Sequence, residues 1–255
     1  MNLDLNGSRV IVTAGGAGIG RAIVEGFLAE GAQVATCDID EAALATLPGA
    51  VFARRVDVAD VEALRGFVAD AAAAMGGLDC LVNNAGIAGP TAKVEEVALD
   101  QWNATLAICL TSHFVAAAAA VPLLRKSGNP SIVNISSLAG RLGFALRSPY
   151  AAAKWGVIGL TKSLAIELGG DSIRVNAVLP GIVSGDRQRR VLEARAQARG
   201  ASFAEIEAEA FSHSAIREYV TPQQIANQVL YLASPLGRTM SGQAISVCGG
   251  TDRLG

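Results

Sequence analysis

Aromatic and charged residues are both scarce in this 255-residue sequence. Aromatic residues make up 5%, so alanine and aliphatic side chains must fill the core, and a hydrophobic content of 51% is ample for one. Charged residues reach 17% and sum to a net charge of −2, which gives no general attraction to nucleic acid or to an anionic membrane. We therefore expect neither of these as a partner.

Cysteine and histidine are too few and too scattered for a metal site. The four cysteines form no C-x-x-C pair and the two histidines lie far apart; these residues are Cys37, Cys80, Cys109, Cys248, His113 and His213. We predict that no metal is bound. Because Cys37, Cys80 and Cys248 lie in or near apolar runs, we predict buried free thiols at these three positions.

The pattern also lacks an export leader and a membrane-spanning segment. No basic-then-apolar leader opens the sequence, and the longest apolar stretch, 107–124, is interrupted by Thr111, Ser112 and His113 and is predicted to end at Pro122. This stretch is predicted to be a buried or interface helix. We expect a soluble protein in the reducing cytoplasm.

Short apolar runs alternate with helix-like stretches along the whole sequence. The runs are continuous in hydrophobicity, which is typical of parallel strands covered on both faces; they span 9–13, 33–38, 51–56, 78–84, 131–136, 173–180 and 244–247. Helices are predicted after the first run, ending at Gly31, and over 61–75, where Asp60 can cap the start. The order predicts an α/β fold: a single Rossmann-like, doubly wound domain over 1–255, with a seven-stranded parallel sheet and helices on both faces.

One long segment, 181–215, breaks this alternation between the sixth and seventh strands. Its charge content rises, with DRQRR at 186–190 and EIEAEA at 205–210. We predict that the segment is irregular and that about 184–215 forms an insertion contributing to the substrate site.

The stretch TAGGAGIG at 13–20 follows the first strand and opens the first helix. The glycine pattern G-x-G-x-x-G is absent, because its last glycine falls on Ile23. Small residues here still allow a pyrophosphate to approach the backbone, and the helix N-terminus favours negative charge. On this stretch alone, a phosphate site and a plain turn both remain open.

Asp38 ends the second strand, about eighteen residues after Gly20. A carboxylate there can accept hydrogen bonds from the adenosine ribose and would repel a 2′-phosphate, and neither Ala17 nor Ile39 supplies a cation. Together with the glycine turn, Asp38 predicts an NAD(H) site rather than an NADP(H) site.

Tyr150 and Lys154 are four residues apart in a helical stretch, so their side chains project from one face. An ammonium group lowers the pKa of a nearby phenol, which can then exchange a proton with a carbinol while hydride moves to or from nicotinamide. Ser137 follows the fifth strand and can bond the substrate oxygen. In isolation, however, Y-x-x-x-K is also typical of an ordinary helix surface.

On its motifs, the sequence resembles the classical short-chain dehydrogenase/reductase family over essentially its whole length. The motifs, in order, are TAGGAGIG at 13–20, DV at 57–58, NNAG at 83–86, NISS at 134–137, YAAAK at 150–154 and NAVLPG at 176–181. The resemblance implies a Rossmann-like fold, usually assembled as a tetramer through helix pairs. It also implies oxidation or reduction of alcohols and carbonyls with a nicotinamide cofactor.

The resemblance further assigns roles to residues. It implies that Ser137 orients the substrate, that Tyr150 is the acid/base, and that Lys154 lowers the pKa of Tyr150 and binds the nicotinamide ribose. Adenine is expected against 57–58 and nicotinamide against 180–183. Besides Tyr150 and Lys154, the predicted cofactor-binding residues are Gly15, Ala17, Gly18, Ile19, Gly20, Asp38, Asp57, Val58, Asn84, Ala85, Gly86, Pro180 and Val183.

Three positions depart from the family pattern. Ala14 replaces a glycine, at small cost unless the backbone there needs a positive φ. Gly185 replaces a threonine that bonds the carboxamide, with Ser184 as a candidate substitute. Cys109 stands where an asparagine helps hold a water of the proton relay from the lysine to solvent. Because a thiol is a weak donor and acceptor, we expect an active enzyme with a weakened relay, whose water the main-chain carbonyl at 109 can hold.

The substrate pocket is predicted to be walled by 87–90, 141–147 and the segment after Gly181. Cations in these regions could bind a carboxylate, phosphate or sulfonate, or could belong to a solvated loop face or to subunit contacts. They are Arg141, Arg147, Arg187, Arg189, Arg190 and His213.

The favoured function is an NAD-dependent oxidoreductase that interconverts a small secondary alcohol, of sugar, polyol or hydroxy acid type, and its carbonyl. Two alternatives remain: an NADPH-type 3-oxoacyl reductase-like enzyme, which Asp38 disfavours, and a catalytically weak NAD(H)-binding sensor or structural subunit, which Cys109 and Gly185 motivate. Small apolar residues over 114–124 and 150–168 exceed what coverage of the sheet needs, so we expect a homotetramer.

Overall fold

The computed structural model describes residues 2–254 and contains a seven-stranded, wholly parallel sheet. Its spatial order is β3-β2-β1-β4-β5-β6-β7, which confirms the predicted doubly wound topology. Each predicted strand is present, with ends that differ by no more than about two residues. The strands are β1 (Arg9–Thr13), β2 (Gln33–Asp38), β3 (Phe52–Arg55), β4 (Cys80–Asn83), β5 (Ser131–Ile135), β6 (Arg174–Pro180) and β7 (Ala244–Val247).

Helices connect the strands as right-handed crossovers of the parallel sheet require. Helix 61–75 begins where its sequence predicts, because the Asp60 carboxylate accepts hydrogen bonds from the backbone N–H groups of Glu62 at 3.1 Å and Ala63 at 3.0 Å. The helices are α1 (Gly18–Ala29), α2 (Glu41–Ala45), α3 (Val61–Met75), α4 (Leu99–Leu106), α5 (Ser112–Leu124), α6 (Ser148–Glu167), α7 (Asp186–Arg199), α8 (Phe203–Ser212) and α9 (Pro222–Ala233).

Alternate residues of the central strands face opposite sides of the sheet and build two cores. Ile11 of β1 packs with the buried faces of α3 and α5, whereas Val10 and Val12 pack with α1 and α9. Both faces of the sheet are therefore covered, which explains why its strands are continuous apolar runs rather than alternating ones.

The apolar stretch 107–124 forms part of one helical run, Leu99–Leu124, in which a π-helical turn at Ala107–Thr111 joins α4 to α5. By length and hydropathy this run could cross a membrane. Its inner face, which includes Val115, Ala116 and Ala120, is instead core packed beside α3. The prediction that the helix ends at Pro122 is wrong, since α5 continues to Leu124.

Segment 181–215 is mostly helical, so the prediction of an irregular segment is wrong. Helices α7 and α8 pack together through Leu192, Ala196 and Ile206, which form a small cluster outside the two main cores. The high charge content of the sequence hid this short apolar stripe. Ser202 begins α8 with a capping box shared with Glu205, a signal that the sequence does carry.

Arg174, at the start of β6, ties the sheet to the end of α9. Its buried guanidinium donates hydrogen bonds to the carbonyl oxygens of Leu232, Ala233 and Gly237, the last two at 3.1 and 3.2 Å. A cation at a helix C-terminus satisfies carbonyl groups that have no partner within the helix.

The cysteines are free, as predicted, but they are not all buried. Cys37 and Cys80 lie inside the sheet, and burial raises the pKa of their thiols to about 12 and about 11. Cys248 is only half-buried, contrary to the prediction, because it lies just beyond the end of β7.

Candidate active site

A cavity of about 880 Å³ opens at the carboxyl ends of the strands, where β1 and β4 lead to opposite sides of the sheet. This is the switch point at which doubly wound sheets bind ligands. Most of the predicted site residues line it: Ala17, Gly18, Ile19, Gly20, Asp38, Asp57, Val58, Asn84, Ala85, Gly86, Ser137, Tyr150, Lys154, Pro180 and Val183. Gly15 and Cys109 do not.

The N-terminus of α1 faces this cavity, and no acidic side chain of the described residues caps it. Its N-cap residue, Ala17, makes no side-chain cap hydrogen bond, and the first turn holds no acidic residue. Gly20 allows the turn to close, because a Cβ atom at this position would lie 2.1 Å from the carbonyl oxygen of Ala14. An uncapped helix N-terminus in a glycine turn fits a cofactor pyrophosphate.

Ala14 has a φ of +55°, a left-handed conformation that disfavours a residue with a Cβ atom. The sequence predicts a small cost for alanine only if φ is not positive. Since φ is positive, alanine strains the backbone at this position. The carbonyl groups of Thr13 and Ala14 both accept hydrogen bonds from the Asn84 side chain, at 3.1 and 2.9 Å, which hold the turn in place.

Gly15 lies behind the turn rather than on the cavity wall. Its N–H donates to the carbonyl oxygen of Cys37 at 3.2 Å, and its α-carbon packs against Thr36 of β2. Gly15 thus shapes the turn from the side of the sheet.

Asp38 presents a carboxylate held by backbone N–H groups. It accepts a hydrogen bond from Gly16 at 3.0 Å and one from Asp40 at 3.2 Å. Asp38, Asp40 and Asp57 all line this end of the cavity together with apolar residues such as Ile39 and Val58. This end of the cavity is therefore acidic.

Tyr150, Lys154 and Ser137 meet at the other end. Lys154 is buried, and its ammonium group lies 5.9 Å from the centre of the Tyr150 ring and donates a hydrogen bond to the carbonyl oxygen of Ile135 at 2.8 Å. Ser137 follows β5 and borders the same cavity. The three predicted residues are thus brought together by α6 and the end of β5.

The pKa of Tyr150 is lowered from the ordinary 10.0. Burial of the phenol opposes ionisation, but the positive charges of Arg187 and Lys154 and the hydroxyl of Ser137 outweigh it. Arg187 was not predicted to act on Tyr150; its guanidinium carbon lies 6.0 Å from the ring centre. A phenol tuned in this way can act as a general acid or base.

Cys109 lies beneath the loop that follows β4, and its side chain is buried. The thiol accepts a hydrogen bond from the N–H of Ile87 at 3.3 Å and donates to the carbonyl oxygen of the same residue at 3.5 Å. These two hydrogen bonds engage the thiol with the loop. A weakened proton relay at Cys109 stays a prediction.

His113 is buried and neutral. Burial, reinforced by the charge of Lys154, lowers its pKa to about 3. Its Nε2 lies 3.2 Å from the carbonyl oxygen of Ala85, to which the neutral ring donates a hydrogen bond. Within residues 2–254, no group of three potential ligands among His, Cys, Asp and Glu is arranged to hold a metal ion.

Gly185 has a φ of +133° at the start of α7, a conformation that only glycine adopts readily. A threonine could not replace it without moving the backbone. Ser184, the candidate substitute, borders the cavity beside it.

The predicted cations separate into two groups. Arg147, Arg187 and Arg190 line the cavity. The other three do not line it. Arg141 donates to Ala244 and Ser246 of β7, Arg189 pairs with Glu193 beside an adjoining cavity of about 490 Å³, and His213 lies 4.0 Å from Asp252.

Arg195 also lines the cavity, and sequence analysis missed it. It is 4% exposed, and its guanidinium carbon lies 5.6 Å from the centre of the Phe144 ring. The signal was present: Arg187, Val191 and Arg195 are spaced by four residues and share one helix face. The prediction of an irregular segment over 181–215 leaves no helix on which this spacing would place the three residues together.

Known proteins match this chain along nearly its whole length. The family model described as enoyl-(acyl carrier protein) reductase matches residues 13–252. A probable galactose dehydrogenase, GalD, from Rhizobium meliloti is 36% identical over 97% of this chain and 96% of that protein.

Two solved structures are similar in fold and sequence. Ligand-free aldohexose dehydrogenase (AldT) from Thermoplasma acidophilum has a TM-score of 0.88 at 30% identity, covering 98% of this chain and 96% of its own. A single-residue variant of the actinorhodin polyketide ketoreductase, with NADPH, has a TM-score of 0.90 at 33% identity, covering 96% and 97%.

The fold, the glycine turn and the Ser-Tyr-Lys arrangement thus define a nicotinamide-dependent oxidoreductase. The chain belongs to the short-chain dehydrogenase/reductase family and acts on alcohols.

Proposed function

We propose that the protein interconverts a small secondary alcohol and its ketone, with NAD as the cofactor. The observation that carries this proposal is the lowered pKa of Tyr150 at the end of a cavity whose other end is the uncapped N-terminus of α1. The names of two relatives, galactose dehydrogenase and aldohexose dehydrogenase, state sugars as their substrates, which supports an alcohol of this size.

Tyr150 exchanges the proton of the substrate in this mechanism. In the oxidative direction its phenolate accepts the hydroxyl proton, and in the reductive direction its phenol donates a proton to the carbonyl oxygen. Ser137 holds that oxygen with a hydrogen bond. When bound, the nicotinamide ring supplies or receives the hydride.

Lys154 positions the charge that favours the phenolate. Its hydrogen bond to Ile135 fixes the ammonium group, and its buried location strengthens the electrostatic effect on Tyr150. The remaining N–H groups of Lys154 are available to the nicotinamide ribose.

The choice of NAD over NADP rests on the acidic end of the cavity. Asp38 would accept hydrogen bonds from both ribose hydroxyls, and three carboxylates there would repel a 2′-phosphate. An acyl-carrier-protein reductase using NADPH fits this end less well. A cytoplasmic location and a homotetramer built on α5 and α6 complete the proposal.

A panel of secondary alcohols, sugars and hydroxy acids, assayed with NAD and followed by NADH absorbance, tests the reaction. We expect turnover that falls by about 10²- to 10⁴-fold in Tyr150→Phe. Binding of NADH without turnover across the panel, unchanged in Tyr150→Phe, would instead identify an NAD(H) sensor.

The cofactor is tested by comparing kcat/KM for NAD and NADP. We expect a preference for NAD of about 100-fold or more, which Asp38→Ala reduces mainly by weakening NAD. Asp70→Ala, which removes an exposed carboxylate on α3 that does not line the cavity, is the matched control. A native preference for NADP would contradict the proposal.

A further inference from the structure

The cavity is acidic at one end and basic at the other. Around Tyr150 its wall carries the guanidinium groups of Arg147, Arg187 and Arg195. In the part of the chain that the structure describes, none of the three forms a salt bridge with an acidic side chain.

Arg147 is 2% exposed, yet most of its hydrogen-bonding capacity is unused. Its Nη2 donates to the carbonyl oxygen of Ala88, but Nε and Nη1 are buried without a partner in the described structure. Buried polar groups are nearly always hydrogen-bonded, and an unpaired buried charge is strongly destabilising. Arg147 is therefore arranged for a partner that comes from outside the chain.

Stacking on aromatic rings does not supply that partner. The guanidinium carbon of Arg147 lies 5.1 Å from the centre of the Tyr150 ring and 5.2 Å from that of Phe144. Such stacking engages the faces of the guanidinium group, whereas its N–H groups point outward in its plane. The N–H groups of Nε and Nη1 remain available, and each can donate a hydrogen bond to an oxygen of an oxyanion.

Arg195, on α7, is a second buried arginine with an unpaired donor in the described part of the chain. It is 4% exposed, its Nη2 is buried without a partner in the described structure, and it contacts the same Phe144 ring. Arg187 adds a third cation at 6.0 Å from the centre of the Tyr150 ring, held by a hydrogen bond to the carbonyl oxygen of Gly86. Burial lowers the pKa of Arg147, and nearby Arg187 and Arg195 lower it further.

We propose that the substrate carries an anionic group, a carboxylate, sulfonate or phosphate, that Arg147, Arg187 and Arg195 bind beside Tyr150. This inference rests on the alcohol oxidoreductase function proposed above and specifies its substrate class. Because Arg147 and Arg187 lie against the same ring that handles the substrate proton, the anion and the carbinol carbon are separated by only a few bonds. The substrate is a short hydroxy acid, hydroxysulfonate or hydroxyphosphate.

The test compares alcohols that share a carbinol and differ in charge. The anionic substrates are 3-hydroxybutanoate, 2-hydroxypropane-1-sulfonate and 2-hydroxypropyl phosphate; the neutral ones are 2-butanol and methyl 3-hydroxybutanoate. We expect kcat/KM with NAD to be about 10- to 100-fold higher for at least one anion than for either neutral alcohol. The relative kcat/KM values of the three anions show whether the site prefers a carboxylate, a sulfonate or a phosphate.

Two variants connect that preference to the arginines. Arg147→Gln should lower the ratio of kcat/KM for the preferred anion to kcat/KM for the neutral alcohols by about 10- to 100-fold. Arg147→Lys, which keeps the charge but loses the planar guanidinium group and its several donors, should recover only part of the loss. Arg189→Gln, on α7 but paired with Glu193 and not part of the lining of this cavity, is the matched control and should leave this ratio unchanged.

A binding measurement makes the test independent of turnover. At least one of butanoate, propane-1-sulfonate and propyl phosphate, which lack the hydroxyl group, should raise the Tm of the native protein with NADH bound and should not raise that of Arg147→Gln. A folded Arg147→Gln is recognised by an unchanged NADH Kd.

The outcomes separate the two proposals. Equal turnover of neutral and anionic alcohols, with no effect of Arg147→Gln, overturns the anion site but leaves the oxidoreductase function intact. Anion binding that depends on Arg147, without Tyr150-dependent turnover of any alcohol, supports the anion site and contradicts the proposed reaction.

Discussion

Ala14 carries backbone strain at the residue that joins β1 to the cofactor turn. Alanine in the left-handed conformation costs about 1 kcal/mol relative to glycine. We expect Ala14→Gly to raise the free energy of unfolding by about 1 kcal/mol and the Tm by about 2–4 °C, measured by calorimetry without cofactor.

A matched glycine substitution should change the free energy of unfolding in the opposite direction. Ala69 lies in the middle of α3 with an exposed side chain, so Ala69→Gly should lower the free energy of unfolding by about 1 kcal/mol. If both variants were destabilised, the strain assigned to Ala14 would be wrong.

The lowered pKa of Tyr150 makes the reaction depend on pH in a defined direction. Oxidation of an alcohol needs the phenolate, so kcat/KM for oxidation should rise with pH and reach half its maximum below pH 10.0. Reduction needs the phenol, so its rate should fall as pH rises through the same range.

Removing a neighbouring positive charge should move this profile upward. Arg187 lowers the pKa of Tyr150, and Arg187→Gln should therefore shift the midpoint of the oxidation profile to higher pH. Arg189→Gln provides the control on the same helix. An unchanged midpoint in Arg187→Gln would exclude Arg187 as a source of the shift.

Arg174 shows how one element depends on a residue from another. Replacing it with methionine keeps much of the buried volume but removes the hydrogen bond to the carbonyl group of Leu232, whereas Ala233 and Gly237 keep hydrogen bonds from Asn129 and from the backbone of Met240. We expect Arg174→Met to lower the free energy of unfolding by about 1–3 kcal/mol in urea titration.

Arg125 offers a control with the same side chain in a different setting. Its salt bridge to Asp171 is exposed, so Arg125→Met should cost no more than about 1 kcal/mol. Similar losses in both variants would mean that burial does not decide the contribution of Arg174.

Helix α7 explains why part of the site escaped sequence analysis. Charged residues dominate it, and its buried stripe is limited to Leu192, Arg195 and Ala196, so no apolar periodicity indicates a helix. The orientation of Arg195 depends on how α7 packs against α8, a tertiary contact that the local sequence does not encode.

The surface of the whole molecule carries apolar side chains on α5 and α6. Phe114 is 53% exposed, Trp155 53% and Ile166 85%, although both helices also pack against the sheet on their inner faces. We expect a homotetramer by light scattering, with Phe114→Glu and Ile166→Glu reducing its mass.

Leu236 provides a control that tests whether the effect of a surface glutamate on assembly is specific to α5 and α6. It is 46% exposed in the turn after α9 and belongs to neither α5 nor α6, so Leu236→Glu should leave the assembly unchanged. A monomeric native protein would contradict the prediction outright.

The sheet and most of the cavity wall could be predicted because they depend on local patterns. Continuous apolar runs predict parallel strands, and residues that end such strands meet at one edge of the sheet. Ala14 and Arg195 show the limit, in different ways. The positive φ of Ala14 is imposed by the path of the turn, and the burial of Arg195 by the packing of two helices.

The uneven burial of the four thiols gives the native chain a built-in labelling position. Cys37, Cys80 and Cys109 are enclosed, whereas Cys248 is half-buried where it packs against Gly181, a residue of the cavity wall. Under brief treatment, a maleimide dye should therefore attach mainly at Cys248. Its fluorescence would then follow ligand binding in the unmodified sequence, with no cysteine having to be added or removed.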